Sequence, residues 1–99
     1  MSKEPKILGW VCFTVCAGIV NDLSLRLFRE KGAVVAYALG IIQRQWLEDR
    51  FANPAHPYYD GSHKDEMDEE YERRREAVRY LQIVDMDEET DLVICEIIE

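Results

Sequence analysis

The chain has 99 residues, which is enough for one domain with a single hydrophobic core and too few for two. Hydrophobic residues make up 47% and charged residues 32%, so the composition is that of a folded soluble protein and excludes a disordered one. The net charge of −8 disfavours nonspecific binding to nucleic acid or to an anionic membrane, since like charges would face each other.

The negative charge is concentrated in the last forty residues. Residues 1–59 hold seven Lys/Arg against five Asp/Glu, a net charge of +2. Residues 60–99 hold five against fifteen, a net charge of −10. A basic protein surface is therefore the expected partner, and direct contact with nucleic acid or membrane is not expected.

The first apolar run, ILGWVCFTVCAGIV at residues 7–20, favours a buried strand. Each of its two glycines would cost a helix about 1 kcal/mol, and Trp, Val, Phe and Thr prefer strands, although so short a run leaves a helix open. Its fourteen residues are fewer than the roughly 20 that span a bilayer, so we interpret it as core rather than as a signal peptide. The three cysteines, Cys12, Cys16 and Cys95, all lie in apolar runs without a disulfide framework, which predicts buried, reduced thiols and a cytoplasmic location.

The next segment, LSLRLF at residues 23–28, fits two structures. Its alternating leucines fit a strand, whereas the Asn-Asp pair before it and the Lys-Gly pair after it are helix start and stop signals. We predict a short helix. Residues 33–51 predict a longer helix, apolar on all sides in its first half. The expected core is Trp10, Phe13, Val35, Leu39, Ile42, Trp46, Val93 and Ile97.

Two prolines and a glycine predict a loop at residues 52–62. An acidic helix follows at residues 63–80, with Ser62 and Asp65 spaced as a capping box. Residues 81–99 predict an antiparallel hairpin around an acidic turn. The expected fold is a single α+β domain over residues 1–99, in which a three-stranded antiparallel sheet, made of the N-terminal strand and the C-terminal hairpin, packs against two or three helices.

The acidic helix has both a structural and a functional interpretation. On a helix, four of its acids form one continuous stripe: Asp65, Glu69, Glu72 and Glu76. Early acids and late arginines complement the helix dipole, and Glu69–Arg73 and Glu70–Arg74 are favourable i, i+4 pairs, so an ordinary solvated face explains much of the pattern.

The excess of acids favours an interaction surface. Carboxylates one helical turn apart, about 6 Å, offer a spacing like that of phosphates along a nucleic-acid strand. By functional analogy with small phage and mobile-element inhibitors of nucleases and CRISPR effectors, we predict a non-enzymatic inhibitor or modulator that occupies a basic nucleic-acid-binding surface of a partner protein. The expected partner-binding residues are Asp65, Glu66, Asp68, Glu69, Glu72, Glu76, Asp87, Glu88, Glu89, Tyr58 and Tyr59.

Catalytic and metal chemistry are poorly supported, so we expect no enzyme activity, cofactor or metal. A calcium-loop spacing is present, but threonine occupies the position of the sharp turn, which needs glycine; its residues are Asp85, Asp87, Glu89, Asp91 and Glu96. Cys12, Cys16, His56 and His63 could supply four zinc ligands in number. If the two cysteines are on a strand, however, they lie about 13 Å apart, which is too far to share one metal ion.

The alternative function is assembly. Residues 33–42 are hydrophobic on all sides, more than so small a core can cover, and Gly40 permits close helix approach. The chain would then be a small structural subunit or a homodimer formed through its apolar N-terminal half.

Overall fold

The computed structural model describes residues 6–99, which fold into four strands and two helices. The elements in chain order are β1 (Ile7–Cys16), β2 (Ile19–Phe28), α1 (Lys31–Glu48), α2 (Lys64–Arg79), β3 (Val84–Asp85) and β4 (Thr90–Ile98), and a 3₁₀ turn at Gly61–His63 precedes α2. The strands form one antiparallel sheet in the order β2-β1-β4-β3. The α+β class is confirmed, but the predicted three-stranded sheet is wrong, because β2 adds a fourth strand.

The extra strand arises from a tight turn within the first apolar run. Ala17 and Gly18 have φ values of 51° and 79°, and they connect the paired residues Cys16 and Ile19. Two residues with positive φ give a turn whose twist matches that of a β-hairpin. The predicted helix at residues 23–28 is therefore wrong, since this segment is the second half of β2 and the alternation of its leucines outweighs the flanking helix signals.

β2 is irregular in its middle. Cys12 pairs with Arg26 and Thr14 pairs with Asn21, so five residues of β2 span the length of two residues of β1. Ser24 holds this bulge in place: its hydroxyl donates to the Asn21 carbonyl at 2.6 Å and accepts from the Thr14 amide at 2.8 Å. Leu23, at the bulge, points into solvent with 87% of its surface exposed.

The core lies between one face of the sheet and the two helices. It is built from alternate strand residues and from one stripe of each helix, and its main members are Trp10, Cys12, Leu92, Ile94, Val34, Ala38, Ile42, Tyr71 and Val78. We call this side of the sheet the helix-covered face.

Burial was predicted correctly for two of the eight expected core residues, Trp10 and Ile42. Val35, Leu39 and Trp46 are only partly buried, because the stripe of α1 that faces the sheet is Val34, Ala38 and Ile42. The remaining three, Phe13, Val93 and Ile97, are partly exposed, since they alternate with the buried strand residues and point away from the helices.

The turn before α2 is closed differently from the predicted capping box. The Asp60 carboxylate, not Ser62, acts as the side-chain cap: it accepts a hydrogen bond from the Ser62 amide at 3.0 Å. This bond to the ionised form lowers the pKa of Asp60. The predicted loop and hairpin are present, with β3 contributing only two residues to the latter.

Candidate interaction surfaces

The acidic stripe of α2 points away from the core. Tyr71 and Val78 define the buried side of the helix, with Arg74 and Met67 along the same side. At 3.6 residues per turn, the opposite side carries the stripe that the sequence predicts, and all four of its side chains are exposed: Asp65, Glu69, Glu72 and Glu76. Glu66 and Asp68 flank the stripe and are also exposed.

Several acids of α2 are occupied by ion pairs within the helix. Lys64 lies 2.6 Å from Asp68, whose hydrogen bond and charge raise the pKa of Lys64. Glu72 lies 3.1 Å from Arg75 and 3.4 Å from Arg79.

The two predicted i, i+4 pairs have different outcomes. Glu70–Arg74 is confirmed, with Glu70 Oε1 3.3 Å from Arg74 Nε. Glu69–Arg73 is wrong, because Arg73 turns to Glu70 at 2.7 Å instead. Within residues 6–99, Asp65, Glu69 and Glu76 are left without a basic partner inside 4 Å.

The acids of the β3–β4 turn form a second patch, of which one member is structural. Asp87 accepts hydrogen bonds from the backbone amides of Glu89 and Thr90, at 2.9 and 2.8 Å, and so closes the turn. The bond from the Glu89 amide is the main reason that the pKa of Asp87 is lowered. Glu88 and Glu89 are exposed.

The two acidic patches are not continuous. An open cleft of about 560 Å³ runs between α2 and the segment that contains β3. Arg73 and Arg74 line it from the helix, and the exposed side chains of Tyr80 and Ile83 line its lower end. Glu76 from the stripe and Asp85 from β3 also line the cleft, so acids from both sides face it together with the two arginines.

The loop before α2 presents one exposed aromatic ring. Tyr58 is 76% exposed, and its amide donates to Nδ1 of His56 at 3.0 Å. Tyr59 is half-buried and its ring lies against Gly61. Tyr58 is thus available to a partner, while Tyr59 is engaged in the loop's own packing.

A polar network between the helices and the β3–β4 turn is a feature that sequence reasoning missed. Arg74 donates to Gln45 Oε1 at 2.9 Å, and Gln45 donates in turn to the Met86 carbonyl at 2.8 Å. The Arg74 side chain is only 12% exposed and its guanidinium lies 4.8 Å from the centre of the Tyr71 ring. Its buried Nε lies near Glu70 but is not aligned for a hydrogen bond, so Coulomb attraction alone links the two.

The cysteines differ in their environments. All three are free; Cys12 is buried, whereas Cys16 and Cys95 are exposed, so the prediction of buried thiols is wrong for these two. Burial raises the pKa of the Cys12 thiol to about 11. Across residues 6–99, no three His, Cys, Asp or Glu side chains are grouped closely enough to hold a metal ion.

The second face of the sheet is largely apolar, and within residues 6–99 both helices pack on the other face. Strand register places eight apolar side chains there, which we call the open face: Val11, Phe13, Val15, Val20, Leu27, Val93, Cys95 and Ile97. Leu27 is 67% exposed and Val20 44%, and none of the eight is fully buried. The sequence shows this face only once β2 is recognised as a strand.

Comparisons of the chain with protein-family models, with curated proteins and with solved structures find no match. Among residues 6–99, neither helix combines the length and the apolar character needed to cross a membrane.

Proposed function

We propose that this protein is a non-enzymatic, cytoplasmic interaction module that binds a basic protein surface through the outer side of α2. The observation that carries the proposal is the orientation of the stripe. Its carboxylates lie on the side of α2 opposite the core, and among residues 6–99 Asp65, Glu69 and Glu76 form no ion pair within 4 Å.

An unneutralised row of carboxylates raises the energy of the folded chain unless something else compensates for it. Asp65 and Glu69 lie about one turn apart, and Glu76 lies about two turns further along the same side of α2, so the three carboxylates form a row about 16 Å long. A groove that binds nucleic acid offers the complementary feature, namely Lys and Arg side chains placed for a row of phosphates. The proposed partner is thus a nucleic-acid-binding protein, and the proposed effect is inhibition or modulation by occupying its groove.

The test is a pair of triple variants with equal net charge. The stripe variant replaces Asp65 by Asn and Glu69 and Glu76 by Gln. Its control makes the same changes at exposed acids outside α2: Asp22→Asn, Glu30→Gln and Glu48→Gln. Both should keep their stability within about 1 kcal/mol, because exposed charges contribute little to folding.

The readout is capture of proteins from an extract of the native host, with duplex DNA or RNA as competitor. We expect the wild type and the control to retain a basic nucleic-acid-binding protein that the competitor or high salt releases, and the stripe variant to lose it. Equal capture by both variants, or capture that nucleic acid leaves unchanged, contradicts the proposal. A Tyr58→Ala variant then asks whether the exposed ring contributes an anchor to the same partner.

A further inference from the structure

We infer that the open face is the interface of a homodimer, in which two sheets stack face to face and the helices of both copies lie on the outside. The inference goes beyond the proposed function, because the stripe of α2 and the open face are on opposite sides of the molecule and can be tested separately.

The first argument is the apolar content and exposure of the face. Its eight members are apolar and span three adjacent strands, and the charged residue that the register adds to them is Asp91, opposite Val15 at one end of the face. A contiguous exposed apolar face of this kind marks an interaction site in a soluble protein, whereas isolated exposed apolar residues do not.

The second argument is the amount of surface. A monomeric protein of 11.6 kDa is expected to expose about 5,800 Å². This chain exposes 7246 Å², and its radius of gyration is 15.7 Å, against about 13 Å for a compact domain of 100 residues. The molecule is elongated, at 58 × 23 × 18 Å, so this excess is spread over its whole surface; it is still larger than the roughly 800 Å² that each partner of a standard interface hides, which leaves room for a stable dimer.

The third argument identifies the occupant as a second copy. The acids that give the chain its charge of −8 are mainly on α2 and the β3–β4 turn, so contact through the helical side would bring two acidic surfaces together. Stacked sheets lie about 10 Å apart, and a layer of helices adds about as much again on either side. Face-to-face pairing therefore places the two stripes at the far ends of the dimer, where their repulsion is weakest.

Charge at the two ends of the face favours an antiparallel arrangement. Asp91 and Asp85 are paired across β3 and β4 at one end. At the other end, Arg29 lines a shallow pocket with Gly9, Leu27 and Ile97. A two-fold axis across the strands sets the end of the face that carries Arg29 against the end of the partner's face that carries the aspartates, and it makes the interface self-complementary.

Edge-to-edge pairing through β2 is less favourable than stacking. Arg26 donates from Nη1 to the carbonyls of Leu23 and Leu25, at 3.1 and 2.8 Å, so its side chain occupies backbone acceptors of this strand. The bulge around Ser24 further bends the strand away from a regular edge. Both features are common protections against strand addition.

The decisive experiment compares the same substitution at two leucines of β2. Leu27 belongs to the open face and Leu23 to the bulge, and their side chains are 67% and 87% exposed, so both lysine variants should fold. By sizing with light scattering at high micromolar concentration, the wild type and Leu23→Lys should have twice the 11.6 kDa mass of one chain. Leu27→Lys should raise the dimer dissociation constant at least about 100-fold, because the two-fold symmetry buries the charge twice.

Salt separates this contact from an electrostatic one. Since the interface is apolar and the outer surfaces repel, added salt should leave the dimer intact or strengthen it. A monomeric wild type, a Leu27→Lys variant that stays dimeric, or a Leu23→Lys variant that dissociates equally would each overturn the inference.

Thiol reactivity tests the interface in the unmodified protein. Cys95 is on the open face and Cys16 is near the turn at the end of β1, and both are exposed in one copy. Alkylation at dimer-forming concentration should be slow at Cys95 and fast at Cys16, and Leu27→Lys should restore fast reaction at Cys95. Equal rates at both thiols in a sample that is dimeric by mass would show that the copies meet elsewhere.

Discussion

The two faces of the same sheet have similar apolar content and opposite surroundings. On the helix-covered face, Trp10, Cys12, Leu92 and Ile94 are almost fully buried under α1 and α2. On the open face, their immediate neighbours along the strands remain partly or largely exposed. The side of the sheet on which the helices pack thus decides which strand residues are buried. The alternation of side chains along β1 and β4 does not by itself distinguish the helix-covered face from the open face.

The largest expected effect comes from the helix-covered face. Trp10→Ala should lower the free energy of unfolding by about 3–5 kcal/mol, because the ring is 7% exposed and its removal leaves a cavity. Phe13→Ala, on the open face, should cost only about 1–2 kcal/mol in dilute protein, since part of the ring is already in water.

Urea denaturation at two protein concentrations sharpens the comparison between the faces. The cost of Phe13→Ala should grow with concentration as dimers form, whereas that of Trp10→Ala should not. Equal losses for the two variants in dilute protein would contradict the assignment of the faces.

The helical layer should show the next largest effect. Arg74→Ala should destabilise the protein by about 2–4 kcal/mol, because it removes a largely buried guanidinium and leaves Gln45 without that donor. Arg73→Ala is the matched control on the same helix: its side chain is 70% exposed, so the change should stay within about 0.5 kcal/mol. Similar melting temperatures for the two variants would show that the network around Arg74 contributes little.

Alkaline pH should weaken the helix-covered face through Cys12. Its folded pKa is about 11 and its ordinary value is 9.0, so the folded state keeps a proton that the unfolded state loses. Stability is therefore fully present below pH 9 and falls as the pH rises towards 11, by about 3 kcal/mol in all. Urea denaturation at a series of pH values under reducing conditions should show a smaller decline in the free energy of unfolding for Cys12→Ala than for the wild type. If the decline with pH is the same for both, a group other than Cys12 causes it.

A smaller effect is expected at the contact between α2 and the end of α1. The Tyr71 hydroxyl donates to Asp49 Oδ2 at 2.8 Å, and burial together with this bond raises the pKa of Tyr71. Tyr71→Phe should cost about 1–2 kcal/mol near neutral pH, because one hydrogen bond to a carboxylate is lost. Tyr80→Phe provides the control, since Tyr80 is 69% exposed and should tolerate the change. Equal midpoints in thermal unfolding would count against a role for the bond.

The helices and the C-terminal hairpin were predictable because local signals agreed there. The helical periodicity of two long segments predicts α1 and α2, and an acidic turn between two β-rich runs predicts β3 and β4. β2 was missed because its turn is Ala-Gly rather than Asn-Gly, and the positive φ of Ala17 has no sequence signature. In the first half of α1 the predicted core residues Val35 and Leu39 are each one position away from the buried Val34 and Ala38, since a segment that is apolar on all sides does not reveal which side it buries.

The interaction surfaces were predictable in part, for a different reason. The outward direction of the stripe follows from the helical period alone. That Arg73 pairs with Glu70 instead of Glu69 depends on side-chain geometry, which the sequence does not show. In the sequence, Arg74 interrupts the apolar side of α2. Only its hydrogen bond to Gln45 of α1 shows that its side chain lies between the two helices. The open face required both the identity of β2 and the knowledge that the two helices share one side.

The pairing of β1 with β4 also sets the order in which the molecule can be assembled during synthesis. β1 is central to the sheet, yet one of its neighbours comes from residues 90–98, so Ile7 meets Ile98 only after the roughly 90 residues between them have left the ribosome. Until then the β1–β2 hairpin presents apolar side chains on both faces and an open strand edge. Such long-range pairing slows folding and leaves a nascent chain exposed to aggregation. Chaperone demand during translation should therefore be set by the time between synthesis of the first hairpin and arrival of the last strand.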